Sequence, residues 1–245
     1  MERFVRFTNQ SQGRDRLFRA TQYTCMLLRY LLENKTGKER VLRKLKNLES
    51  NMSSGRKLLR LGNMVHAVEA AKRTLQHPSP VPRFCLTISN VNRVLYFICD
   101  TVLWARSAGL VSGINKEKWI HWATRYYFYS LLMNLARDLY EILQRIEQNN
   151  TQGKKTREEL YNCNDQEQEL PSTVITFESS LSLLYYSLKN QPSLCLDIVK
   201  NLCDLFGPLD KLEIYKTNQG LIGLCGLLSS LVGILTVSIP RLQLK

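Results

Sequence analysis

Apolar and polar positions alternate along this chain with the period of helices, and one stretch drops the alternation altogether. From Thr217 to Ile239 no residue carries a charge. An apolar run of that length is enough to cross a bilayer, so the pattern predicts a membrane-spanning helix over 217–239 and a short tail over 240–245. Gly226, Ser229, Ser230 and Gly233 form small-xxx-small pairs within it. Such pairs let helix backbones approach closely in lipid, or they reflect only the frequency of glycine in membrane helices.

At the other end, a first helix is expected from about Arg14 to Glu33. Leu17, Ala20, Thr24, Leu28 and Leu31 form its packed stripe, and Asn34 to Lys38 its polar stop. The second stretch, about Lys38 to Leu75, places Val41, Leu45, Leu48, Met52, Gly55 and Leu59 at spacings of four and three, opposite Arg43, Lys46, Ser50 and Lys57. Ser53, Ser54 and Gly55 are poor helix formers and predict a kink there. A basic amphipathic helix of this kind suits a bilayer interface. Partial recovery of roughly 1.5–3 kcal/mol per buried side chain and about 1 kcal/mol per Lys or Arg on an anionic surface would make adsorption reversible. The same spacing fits a seam packed on another helix or on a second copy of the chain, and the pattern leaves the two readings open.

His77-Pro78-Ser79-Pro80-Val81-Pro82 breaks the helical pattern. Phe84 to Ala105 is long enough to span a membrane but contains Asn90, Asn92, Arg93 and Asp100. Each charge at the centre of a span costs roughly 2.5–3.5 kcal/mol, so the segment reads equally as an interfacial or bundle helix. Trp119 to Glu147 is a further helix with aromatics crowded at its start, suited to the headgroup zone or to a tyrosine-rich core. Residues 148–173 read as a flexible linker. Two helices follow, Val174 to Asn190 and Ser193 to Phe206, with Ser193 as an N-cap. The organisation expected is a basic helical region over 1–83, membrane-associated helices over 84–147, the linker, a helical pair over 174–216, the span and the tail. The fold class is all-α, a helical membrane protein.

Charge adds direction to this picture. Residues 1–83 hold 18 Lys and Arg against 6 Asp and Glu, a net of +12, whereas the rest of the chain holds 16 against 15, a net of +1. A basic block attracts a polyanion, either nucleic acid or an anionic leaflet. With no nucleic-acid-binding module beside it, the membrane is the expected partner, and the block is expected on the cytosolic side. The first 20 residues have no apolar core, so no secretory signal is expected. Seven cysteines without a CxxC pair read as reduced, and the three histidines give no zinc spacing, so neither metal nor cofactor is expected.

Catalytic signatures are absent: there is no nucleophile elbow, P-loop, dinucleotide turn or HExxH. Asp138 and Glu141 beside Arg137 and Arg145 read as surface ion pairs. The chain is not expected to be an enzyme.

Several phrases do carry a resemblance. QSQGRDRLFRATQYTCMLLRYLLE (Gln10 to Glu33), LESNMSSGRKLLRLGN (Leu48 to Asn63), NRVLYFICDTVLWARSAGL (Asn92 to Leu110), RYYFYSLLMNLARDLYE (Arg125 to Glu141), LCDLFGPLDKL (Leu202 to Leu212) and GLIGLCGLLSSLVGILT (Gly220 to Thr236) resemble the peroxin-11 family of peroxisomal membrane proteins. SGINKEKW (Ser112 to Trp119) is most similar to its vertebrate alpha form. The resemblance implies a non-enzymatic factor of the peroxisomal membrane, multi-pass or C-terminally anchored with its N-terminal region cytosolic, that elongates the membrane before division. Its amphipathic helix would meet anionic lipid through the apolar Val41, Leu45, Leu48, Met52 and Leu59 and the basic Arg43, Lys44, Lys46, Arg56, Lys57 and Arg60. It further implies self-association, association with other peroxin-11 forms, delivery by the peroxin-19 import receptor, and work with fission adaptors and a dynamin-related GTPase. An oligomeric metabolite pore is the alternative, with Asn92, Arg93 and Asp100 facing its path. Coatomer binding through closely spaced lysines is not carried over, because Gln243 separates Arg241 from a single Lys245.

Overall fold

A computed structural model of the chain describes residues 7–8, 10–33, 38–161 and 192–239. Among them are seven helices and no strand: α1 (Ser11–Leu32), α2 (Glu39–Leu59), α3 (Asn63–Thr74), α4 (Pro80–Ser107), α5 (Lys116–Tyr161), α6 (Pro192–Lys211) and α7 (Gln219–Ser238). The all-α expectation holds. The expected helix over 174–190, the end of the linker at 162–173 and the tail at 240–245 lie outside the described residues.

Local chemistry places several of the helix ends. Asn115 Oδ1 accepts from the backbone N–H of Glu117 at 3.1 Å and of Lys118 at 3.3 Å, capping α5. Asn218 caps α7 through the N–H of Gly220 at 3.3 Å, and α7 ends at Ile239 in extended backbone. That geometry suits the residue before Pro240. The prolines after His77 do not prolong a loop. Pro80 is the first residue of α4 and Pro82 lies in its first turn, where the missing N–H has no intrahelical partner to lose.

Three expectations are corrected. Ser53, Ser54 and Gly55 stay helical, and the chain breaks instead at Gly62, whose φ of 88° is left-handed. Gly55 serves a different purpose, since a Cβ there would fall 2.9 Å from the Phe18 ring of α1. The stretch read as linker is helical from 148 to 161, within α5. Ser193 is not an N-cap, because α6 already begins at Pro192.

The helices close into a ring. α1 packs on α2, α2 touches α4 beside the α3–α4 contact, α4 packs on α5, α5 on α6, α6 on α7, and α7 returns to α1. The basic N-terminal helices and the C-terminal apolar helix are therefore parts of one bundle. Its interior mixes apolar side chains such as Phe97, Leu103 and Leu131 with polar ones. Ser89, Asn90, Asp100, Ser130, Arg137, Asp138, Asp197, Asn201 and Asp204 are buried, while large apolar residues stand exposed on every helix. Buried polar groups with apolar flanks facing outward are what a lipid surround requires.

Candidate membrane interface and polar interior

α7 is the one helix among the described residues long and apolar enough to cross a membrane, with a mean hydropathy of 2.2. Its two faces differ. Leu221, Leu224, Leu228, Leu231 and Leu235 recur at spacings of three and four and are exposed. The opposite face buries Gly220, Gly223, Gly226, Ser229, Ser230 and Gly233. The four residues singled out from sequence thus all lie at a packed surface, and the partner is α1 of the same chain together with α6. A Cβ at Gly223 would sit 3.2 Å from the backbone nitrogen of Leu27, and one at Gly220 would meet the Tyr30 ring at 2.5 Å. Tyr23 covers Gly226 and the Arg16 guanidinium lies over Gly233. Ser230 donates to the Gly226 carbonyl at 2.6 Å, which satisfies its hydroxyl within the helix.

This docking changes the reading of α1. The face pressed on α7 carries Arg16, Tyr23, Leu27 and Tyr30. Leu28 and Leu31, expected on the packed stripe, are exposed. Periodicity could not separate these stripes, because both α1 faces are largely apolar or aromatic.

α2 lies antiparallel on α1. Arg56 Nε is 3.1 Å from Asp15 and its Nη1 donates to Gln22 at 2.9 Å, Arg29 approaches Glu49 at 3.5 Å, and Ser11 Oγ donates to the Leu59 carbonyl at 2.9 Å. Leu45, Met52 and Leu59 share this face and are half-buried, whereas Val41 and Leu48 are exposed. Part of the stripe, Leu45, Met52 and Leu59, thus sits at the contact with α1, and Val41 and Leu48 lie outside it. The basic candidates divide likewise. Arg43, Lys44 and Lys46 are exposed. Arg56 is spent on α1, and Arg60 pairs with Asp100 of α4 at 2.8 Å. Lys57 is half-buried, and burial holds its ammonium below the usual lysine value, reinforced by Arg60, Lys116 and Lys211 and opposed by Asp100.

Two polar clusters fill the ring. In the first, Arg137 of α5 binds its neighbour Asp138 and, at 2.6 Å, Asp197 of α6; Asn201 donates to Asp138 at 3.2 Å and to Asp197 at 3.4 Å. Arg137 and Asp138 are 3% and 1% exposed, which overturns their reading as surface residues. In the second, Arg19 of α1 binds Asp204 of α6, and the Tyr127 hydroxyl of α5 donates to the same carboxylate at 3.1 Å. The spacing of Asp197, Asn201 and Asp204 on one face of an otherwise apolar helix was the available signal. Of the residues expected to line a pore, Asp100 is buried in its pair with Arg60, Asn92 turns back to the Ile88 carbonyl at 2.9 Å, and Arg93 is exposed.

Comparison with known proteins identifies relatives along the whole chain. The sequence pattern of the family described as Peroxisomal biogenesis factor 11 matches residues 1–238. Peroxisomal membrane protein 11A of Homo sapiens is 55% identical over 100% of this chain and 99% of its own length. Peroxisomal membrane protein 11B of Homo sapiens is 43% identical over 100% of both chains. A Peroxisomal membrane protein 11 homolog of Dictyostelium discoideum is 22% identical, covering 95% of this chain and 92% of its own. No solved structure matches.

Proposed function

Because the chain belongs to the Peroxisomal biogenesis factor 11 family, we propose that it resides in the peroxisomal membrane and promotes the protrusion and elongation that precede peroxisome division. The role is non-catalytic. α7 holds the protein in the bilayer, and α2 is the element that enters the cytosolic leaflet. The observation that carries this reading is the outer edge of α2, where Val41 and Leu48 stand exposed beside Arg43, Lys44 and Lys46. Apolar side chains inserted in one leaflet expand its area relative to the other, and basic residues hold them at an anionic surface. Full insertion needs α2 to turn away from α1, which frees Leu45, Met52 and Leu59 and breaks the Arg56–Asp15 and Arg29–Glu49 contacts. Self-association, pairing with other family forms, import by the peroxin-19 receptor and recruitment of fission adaptors with a dynamin-related GTPase complete the proposal. The test is tubulation of anionic liposomes by the reconstituted full-length chain. Leu45→Glu with Leu48→Glu should abolish tubules, and an undiminished tubule count would sink the role given to α2.

A second reading, a metabolite pore, is supported by the closed ring of helices around charged side chains. Planar bilayers holding the protein should then show discrete conductance steps that Arg93→Ala, at the exposed one of the three residues expected to line a path, alters. Silent bilayers with verified incorporation would remove this reading.

A further inference from the structure

The end of α1, the α4–α5 turn and the α6–α7 turn lie together at one end of the bundle. Arg16 stands over Gly233 of α7 and Tyr30 over Gly220, so α1 ends beside the start of α7. Arg137 of α5 reaches Asp197 of α6 and Tyr127 reaches Asp204, so α5 starts beside the end of α6. A row of contacts marks the middle of the bundle. Tyr23 covers Gly226 of α7, Arg19 lies over the Tyr23 ring and binds Asp204, and the Tyr127 ring is 5.3 Å from that of Tyr96. From this row the helices run seven to eleven residues to the shared end, about 10–16 Å at 1.5 Å per residue. Half of a hydrocarbon core is roughly 15 Å, so with α7 crossing the bilayer the turns stand at the level of the headgroups. All three tryptophans, Trp104, Trp119 and Trp122, fall within that last stretch. Indole rings favour the membrane interface.

The turns hold large apolar side chains away from the bundle. Gly109 and Gly113, left-handed at φ 78° and 88°, bracket Leu110, which is 70% exposed, and Val111, which is also exposed. In the α6–α7 turn the N–H groups of Ile214 and Tyr215 donate to the Leu209 carbonyl at 3.1 and 3.3 Å, and that of Thr217 donates to Asp210 Oδ1 at 3.0 Å. This turn holds Glu213 at φ 58°, a conformation disfavoured for a residue with a Cβ, and leaves Ile214 and Tyr215 60% and 61% exposed. Leu31 and Val41, near the facing ends of α1 and α2, are exposed at the same level. Backbone strain retained where apolar side chains point outward marks a surface that is covered in use.

Charge identifies the cover. Residues 29–33, 38–49, 106–118 and 210–218 hold eleven Lys and Arg against six Asp and Glu. Arg43, Lys44, Arg106, Lys116, Lys211 and Lys216 are exposed there. Of the acidic residues, Glu49 is engaged by Arg29 and Asp210 by its own turn. Excess positive charge around apolar tips at headgroup depth matches an anionic lipid surface. We propose that this end of the bundle docks on an anionic leaflet, the two turns inserting Leu110, Val111, Ile214 and Tyr215 among the headgroups while the surrounding lysines and arginines bind lipid phosphates. This grip rests on α7 being the span, and it needs no release of α2 from α1.

Leu110→Trp and Ile214→Trp place an extra indole on each turn, and Leu228→Trp places one at mid-span on the exposed face of α7. Each full-length variant is reconstituted in phosphatidylcholine vesicles with and without phosphatidylserine, and its fluorescence is compared with the parent's. Phosphatidylserine should shield the two turn indoles from acrylamide, shift their emission to the blue and bring them within quenching range of lipids brominated near the headgroup. Lys116→Gln, Lys211→Gln and Lys216→Gln together should remove that effect. Turn indoles equally accessible with and without phosphatidylserine overturn the docking. Shielding that follows protein density instead of phosphatidylserine assigns the tips to a second copy and overturns it too. Leu228→Trp tells the two failures apart: quenching there by lipids brominated deep in the acyl chain keeps α7 as the span, and its absence removes the span and the docking together.

Discussion

Arg60, one residue past the end of α2, places its guanidinium 2.8 Å from the Asp100 carboxylate of α4, and the two side chains are 13% and 8% exposed. The pair joins the N-terminal hairpin to α4 where few other contacts connect them. Arg60 also lies 5.7 Å from the centre of the Tyr96 ring. Removing one partner strands a buried charge, so Asp100→Ala should cost about 3–5 kcal/mol. Arg60→Met combined with Asp100→Leu should recover most of that loss. Thermal melts of the four proteins in detergent form the cycle, and additive losses would show that the pair does not couple α2 to α4.

A Cβ at Gly223 would lie 3.2 Å from the Leu27 backbone nitrogen, so a large side chain there requires α1 to move off α7. Gly223→Leu is expected to push α1 off α7 and open its arginines to trypsin. Leu224→Ala, on the exposed face, should leave the digestion pattern unchanged. Equal digestion of both variants would mean that α1 does not depend on this face.

At Gly62 the backbone is left-handed with φ 88°, and a Cβ there meets nothing within 4 Å. The penalty for another residue is therefore conformational. Gly62→Val should cost roughly 1–2 kcal/mol or more, and Gly62→Asn less, since asparagine tolerates this region. Melting temperatures ranked parent, Asn, Val are expected.

Arg137 neutralises two buried carboxylates. Burial already holds Asp138 above the usual carboxylate value, and Arg137 opposes that rise. A raised carboxyl favours the folded state when protonated, so its contribution falls as pH climbs above ~4. Arg137→Met removes the opposing charge and should destabilise the fold by about 3–5 kcal/mol at neutral pH. The deficit should shrink in acid, as Asp138 takes up a proton. A deficit constant between pH 4 and 8 would contradict this account.

How much of this was legible follows from the range of the interactions. The run from Thr217 to Ile239 and the break after His77 are local signals, and the structure places α7 and the start of α4 on them. The stop of α2 was misplaced because Ser53, Ser54 and Gly55 weigh against a helix on propensity, while packing of Gly55 on Phe18 rewards it. Arg137 and Asp138 looked like surface charges for a similar reason. Their burial depends on Asp197, 60 positions away along the chain.

By itself, then, the sequence determined the helical class, the apolar anchor, the small residues that permit close approach, and the concentration of positive charge before Phe84. Each is written in composition or in spacings of three and four, which local physics reads directly. Only the tertiary structure decided that the glycine face of α7 belongs to α1, that part of the α2 stripe is already occupied, and that polar side chains from distant segments meet inside the ring. Those outcomes depend on which helix lies beside which, and the periodicity of a single helix carries no record of its neighbour.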